Sequence, residues 1–253
     1  MTLKLGLTLG SKPFEHGALA LDSYLHADAP AVPIAVSAPG NATYAWGMLG
    51  NDDYGDCVPA ALFHIDESLY LRRALNPYPY QAPEALALYF AANGVAPGPA
   101  GSSSDQGTDP AVAMAYWQSK GLPGHKLAGW GALPPTSPNI RRAVWEFGAV
   151  LFCVALPDNW QSQVDASGVA HWRGTQTPDQ NEGHGICVNG FTPDLFRLVS
   201  WGQEGDADDP WAASCLEQVY VPLSTDALNS ADVGPAGFAF AQMRADLPSG
   251  SAA

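Results

Sequence analysis

The chain has 253 residues, 47% hydrophobic and 10% aromatic, enough apolar side chain for one large domain or two lobes around a shared cleft. Eleven basic residues against 25 acidic ones leave a net charge of −14. Such a surface repels phosphate backbones and anionic lipid, which excludes nucleic-acid and membrane partners.

No apolar run approaches the roughly 20 residues that span a bilayer, and the opening MTLKLGLTLGSKPFEHG has neither the apolar core nor the cleavage site of a secretory signal. Cys57, Cys153, Cys187 and Cys215 are too few for a disulfide scaffold and lack zinc-type spacing. A reducing, cytoplasmic setting follows, and no motif asks for a cofactor or a metal. The acidic group Glu204, Asp206, Asp208 and Asp209 lacks calcium-loop spacing and reads as a solvated loop.

In chain order, residues 1–45 lack periodicity and are rich in Ala, Pro and Gly, so they read as an arm or cover. Their length and aperiodicity do not suggest an inhibitory propeptide. Residues 46–253 read as a single domain, mainly helical over 46–148 and mainly β over 149–253. A helix is predicted from about Val58, with Pro59 in its first turn and an apolar face of Ala61, Leu62, Ile65 and Leu69. A second covers 83–93. A third is capped by Asp109 and ends at Gly121; a fourth covers 139–147. Strands are predicted over 149–156, 185–191, 195–201 and 219–223. Helices first and strands second argue for an α+β fold with a cleft between the halves.

The chemistry-bearing stretch is Asn51-Asp-Asp-Tyr-Gly-Asp-Cys57-Val-Pro. It delivers a cysteine to a helix N-terminus, where unpaired backbone N–H groups favour thiolate over thiol. A half-buried structural cysteine is the plainer alternative. A thiolate needs a base, and His184 in Glu-Gly-His-Gly-Ile-Cys-Val-Asn-Gly-Phe191 stands at the entrance to an apolar strand. A nucleophile–base pair requires the sulfur and a ring nitrogen within about 4 Å. His64, His125 and His171 lack such a setting and read as structural, while His16 and His26 of the arm carry no motif.

GNDDYGDCV before a helix, then GHGICVNGF, then FRLVSWG resembles the papain-like cysteine peptidase family over residues 45–205. The block Asp105-Gln-Gly-Thr-Asp before a helix is also similar, and the 127 residues between Cys57 and His184 are close to the family's separation. The resemblance implies a two-lobed papain-like fold, with Cys57 as nucleophile, His184 as base and Asn51 as oxyanion donor. It also implies Trp201 behind the histidine, Gly55 and Gly183 beside the site, and a peptide or protein substrate.

The pattern departs from the family in two places. Asp52, Asp53 and Asp56 crowd the thiol with like charge. The orienting amide before Ser-Trp-Gly is missing: counted back from Trp201 that position is Val199, counted forward from His184 it is Ser200. These departures leave a non-enzymatic papain-like module as the alternative to a cysteine hydrolase. Chains of this look also resemble bacterial and phage proteins, which implies a virion-associated or structural role for such a module.

Overall fold

The structure, a computed structural model, describes residues 3–10, 15, 18–21, 31–39, 44–122 and 125–224. His16, His26, the rest of the predicted arm and the chain after Ser224 lie outside the described residues. Among the described residues the architecture is α+β, five α-helices on a mixed sheet of eight strands.

The helices are α1 (Cys57–Arg72), α2 (Ala82–Ala92), α3 (Pro110–Lys120), α4 (Ser137–Phe147) and α5 (Asp209–Cys215). The strands are β1 (Leu19–Ala20), β2 (Leu127–Leu133), β3 (Val150–Ala155), β4 (His171–Trp172), β5 (Gly183–Phe191), β6 (Leu195–Ser200), β7 (Gln203–Asp208) and β8 (Leu216–Ser224). They run in the order β1-β2-β8-β3-β5-β6-β7-β4, antiparallel except for the short β1–β2 and β4–β7 pairs. The antiparallel β3–β5 pair sets Val154 opposite His184 and Cys153 opposite Gly185.

Local chemistry explains the helix ends. Asp109 accepts from Ala111 N at 2.7 Å and caps α3, with Pro110 at the position that has no N–H to waste. Gln81 and Glu84 form a capping box on α2. Helix α1 departs from the amphipathic expectation: it is buried on all sides from Cys57 to Leu69, His64, Asp66 and Glu67 included. It runs between β5 and the pair α2 and α3, so no side of this stretch is left for solvent.

Two apolar clusters flank the sheet. One gathers Val58, Leu62, Phe63 and Ile65 of α1 with Met114 and Trp117 of α3 and with Leu151, Cys153 and Cys187. The other gathers Ile140, Val144 and Phe147 of α4 with Phe152, Val188, Trp172, Trp201 and Trp211. Because strand side chains alternate, β3 and β5 feed both clusters and lock α1 against the sheet.

Two expectations need correction. β2, with the small-residue sequence LAGWGAL, has no sequence signal and was not predicted. The acidic group after Trp201 is not a solvated loop: it is β7 and the start of α5. Asp206 is buried against Arg173, His171 (3.2 Å) and Arg197 (3.1 Å), Asp208 accepts from Gly174 N at 2.9 Å and from Trp211 N at 2.8 Å, and Asp209 pairs with Arg141 at 3.0 Å. Each carboxylate has a partner far away in sequence, which makes a strand of a stretch that lacks apolar alternation.

Candidate active site

Cys57 is the first residue of α1, and its Sγ accepts from Gly185 N at 3.3 Å. That approach needs glycine at 185, because a Cβ there would lie 3.1 Å from Val58 Cα. The backbone N–H groups of Gly6 and Val58 also serve the sulfur. Burial nevertheless pushes the thiol up to about 12, with a smaller contribution from Asp56.

His184 is the second residue of β5, inside the strand rather than at its entrance. Its Nε2 meets Ser200 Oγ at 2.8 Å, and its ring stacks on Trp201 with centroids 4.3 Å apart. Trp201 stacks in turn on Trp160 at 4.9 Å. Trp201 holds a left-handed backbone, φ 49°, which is costly for a bulky residue and is held here by stacking on both faces. Nδ1 of His184 has no hydrogen-bond partner among the described residues, so the expected thiol–imidazole bond is not made. Burial alone drives the imidazole down to about 3. Across the intervening pH range both groups are neutral, and the site as it stands holds no ion pair.

The remaining predicted residues surround this pair. Asn51 is buried, but its Nδ2 donates to Tyr54 O at 3.1 Å and so faces its own loop. Gly55 N donates to Asp105 Oδ1 at 2.9 Å; the same carboxylate accepts from Tyr89 Oη (2.8 Å) and Gly101 N (2.7 Å), pinning the loop ahead of Cys57. Sequence reasoning singled out the block around Asp105 only as a resemblance and missed this anchor. The two register counts are also separated: Ser200 touches the imidazole, whereas Val199 joins the α1-side cluster. Of the three aspartates near the thiol, Asp53 is exposed, Asp52 half-buried and Asp56 buried. Burial raises the Asp56 carboxyl well above the usual range, which opposes the like charge expected at Cys57 and leaves Asp56 a smaller influence on the thiol than burial.

Residues 4–8 of the predicted arm or cover lie across the site. Lys4 N donates to Asn51 O (3.2 Å), and Gly6 N and Leu7 N both donate to Gly183 O (3.2 and 3.1 Å). Thr108 N donates to Gly6 O (2.7 Å), Thr8 N to Thr108 O (3.1 Å), and Trp201 Nε1 to Lys4 O (3.0 Å). Gly6 is pressed so close to the Gly55 loop that a Cβ on it would fall 1.8 Å from Gly55 O. A Cβ on Gly183 would fall 2.2 Å from Leu7 O. The segment thus fills a trench walled by residues that sequence analysis placed beside the site, and Cys57 and His184 are both buried in this arrangement.

This geometry can be set against known proteins. No family model matches the chain, and no curated protein matches its sequence. Solved structures do match. Xylellain, a cysteine protease from Xylella fastidiosa, superposes with a TM-score of 0.62 at 12% identity, covering 87% of this chain and 96% of that one. The fold is papain-like. Procathepsin L2 from the Tenebrio molitor larval midgut matches with a TM-score of 0.60 at 13% identity, over 87% of this chain and 78% of that one. The Carica candamarcensis cysteine protease CMS1MS2 matches with a TM-score of 0.51 at 13% identity, over 76% and 98%. At such identities the likeness is one of papain-like architecture, and the chemistry rests on this chain's own residues.

Proposed function

We propose that the chain is a cysteine hydrolase of peptide or amide bonds, held latent by its N-terminal segment. The observation that carries this reading is the setting of His184: Nε2 tied to Ser200, ring stacked on Trp201, Nδ1 unpartnered, and the next residue's N–H on the Cys57 sulfur. An imidazole fixed at one nitrogen and free at the other is what a general base beside a thiol requires. With the segment gone, water reaches both groups and the burial that opposes the ion pair is relieved. Nδ1 then takes the thiol proton as Sγ attacks the substrate carbonyl carbon. The same proton passes to the leaving amine as the C–N bond breaks, and water, deprotonated by His184, releases the acid from the thioester. Backbone N–H groups at the start of α1 supply oxyanion donors. Asn51 joins them only if Nδ2 lets go of Tyr54 O.

The segment is placed to block rather than to be cut. Gly6 N is turned to Gly183 O, and its carbonyl to Thr108 N. Its full occupation of the trench also favours a second reading, a non-enzymatic papain-like module in which the trench is permanently closed.

Deleting residues 1–9 separates the two. The hydrolase reading expects the truncated chain to be alkylated by iodoacetamide at Cys57, before the other three cysteines and at least about tenfold faster than the full chain. It also expects the truncated chain to cleave a fluorogenic peptide amide, with Cys57→Ser and His184→Ala inactive. Labelling first at Cys153, Cys187 or Cys215, or a reactive Cys57 without any amide hydrolysis, overturns it in favour of the module.

A further inference from the structure

Glu67 sits mid-helix in α1, 3% exposed, and its Oε2 meets no donor. The other interaction of the carboxyl is with the Tyr44 hydroxyl, which donates to it. A buried carboxyl with an unsatisfied oxygen is costly and needs an explanation. The explanation offered by the fold is that Glu67 forms part of the wall of a cavity of about 620 Å3, shared with Tyr44, Asp52, Leu49, Pro77 and Tyr80. Exposed Pro79 and Gln81 stand on its rim, and among the described residues no Lys, Arg or His lines it. None of its lining residues belongs to the Cys57–His184 pair or to the segment that covers it.

We infer that this cavity is a binding site for a primary alkylammonium group, free or as a lysyl side chain, with Glu67 as its counter-ion. A metal ion fits poorly: among the described residues no three His, Cys, Asp or Glu side chains come together to hold one, and hard cations take six or more oxygens. A guanidinium binds best through both oxygens of a carboxylate, and here Tyr44 occupies one of them. An ammonium needs only one oxygen. The Tyr44 and Tyr80 rings and the prolines suit its alkyl stem and add cation–π attraction.

The groups facing Glu67 set how it responds. Neighbouring Asp66, whose Oδ2 accepts from Tyr80 Oη at 2.7 Å, adds negative charge, and Asp52 lies across the cavity. Tyr44, Tyr80 and Cys187 are near and neutral. Burial is the largest influence and holds the Glu67 carboxyl up at about 8, so the empty site is mostly protonated at neutral pH. An entering ammonium must therefore displace that proton to solvent, a signature that an adventitious surface contact does not give.

The test is calorimetric titration of the full chain at pH 7 with n-butylamine, with Nα-acetyl-lysine methylamide and with n-butanol, in two buffers of different ionisation enthalpy. The expected result is that at least one amine binds, with release of close to one proton. n-Butanol is expected to bind at least about tenfold more weakly, and Glu67→Gln to lose both the affinity and the proton release. Preference for butylamine identifies a free amine as the ligand class, and preference for the lysine derivative a protein-borne side chain. Equal binding of alcohol and amine, binding without proton release, unchanged affinity in Glu67→Gln, or no binding of either amine up to tens of millimolar each overturns the inference. The alcohol comparison uses the natural chain, so it holds even if the variant folds poorly. Cleavage activity at Cys57 does not enter any of these readouts.

Discussion

In the proposed hydrolase the Ser200 hydroxyl stands in for an orienting amide. The 2.8 Å contact with Nε2 orients the ring but offers a weaker acceptor than a carbonyl, which predicts a site sensitive to its loss yet not dependent on it alone. In the chain lacking residues 1–9, Ser200→Ala is expected to lower kcat by about tenfold or more with little change in KM, and Ser200→Thr to restore most of it; equal activity in all three would show that the contact is idle. Asp56 presents a different case. It precedes α1 but makes no capping bond with its side chain, and burial opposes its ionisation. A carboxyl whose ionisation burial opposes, and which is a minor influence on the thiol beside burial itself, repels a thiolate weakly, so Asp56→Ser should change the alkylation rate of the truncated chain by less than about twofold. Stability carries the signature instead. A carboxyl whose folded pKa is raised stabilises below its unfolded value near 3.8 and loses that contribution as pH rises through the folded value. Relative to the natural chain, Asp56→Ser should therefore gain more in urea midpoint at pH 8 than at pH 4, and a pH-independent shift would contradict the assignment.

In the proposed hydrolase latency turns on the N-terminal segment, and two glycines, Gly6 within it and Gly183 in the wall beneath it, make that testable. Gly6→Ala puts a Cβ into Gly55 O, and Gly183→Ala puts one into Leu7 O, so either change should lift the segment and speed alkylation of Cys57 in the full chain. Alkylation as slow as in the unmodified chain for both variants would mean the trench stays shut. Proton linkage predicts the same opening in acid. His184 sits near 3 under the segment and returns towards 6.5 when hydrated, so the closed arrangement is favoured above 6.5 and loses up to about tenfold per pH unit below it. Hydrogen exchange at Gly6 and Leu7, corrected for intrinsic rates, should accelerate accordingly, and His184→Gln should flatten the profile. Little of this was legible in the sequence, because the segment is held by backbone hydrogen bonds and by the absence of Cβ atoms, neither of which leaves a side-chain pattern. What was legible had strong local causes: the Asp109 cap and Pro110 of α3, the unbroken apolar run of β3, and the cysteine at the start of α1. β7 was lost for the opposite reason. Its QEGDAD alternates nothing apolar, and the arginines that satisfy Asp206 come from residues 173 and 197.

Over the whole molecule, α1 carries an unusual load of buried titratable groups, and together with the site they set how stability depends on pH. His64, bonded through Nε2 to Gly47 O at 2.8 Å, is driven down to about 4 by burial, and His184 to about 3. Both are neutral in the folded chain and take up a proton on unfolding below about 6.5, so each favours unfolding as pH falls from there. Glu67 and Asp56 act in the other sense. Burial raises both folded pKa values, Glu67 from 4.5 to about 8, so the folded chain holds protons that the unfolded chain has lost, and folding weakens as pH rises above the unfolded carboxyl values. Between about 4.5 and 6.5 the two effects oppose each other and the slope is small. Above 6.5 the histidines no longer contribute, and folding weakens with each pH unit through Glu67, until it ionises near 8, and through Asp56 beside it. Below about 4.5 the unfolded carboxyls are also protonating, and the histidines dominate. The expected curve is a plateau in mild acid that falls away on both sides. Urea unfolding of the full chain at pH 4, 5.5, 7 and 8 should place the maximum near 5.5. Glu67→Gln should remove much of the decline between 6.5 and 8 while leaving the acid limb in place. A natural chain that gains stability steadily from pH 5.5 to 8 would show that Glu67 and Asp56 are ionised in the folded state, and with that the neutral interior inferred for α1 would fail.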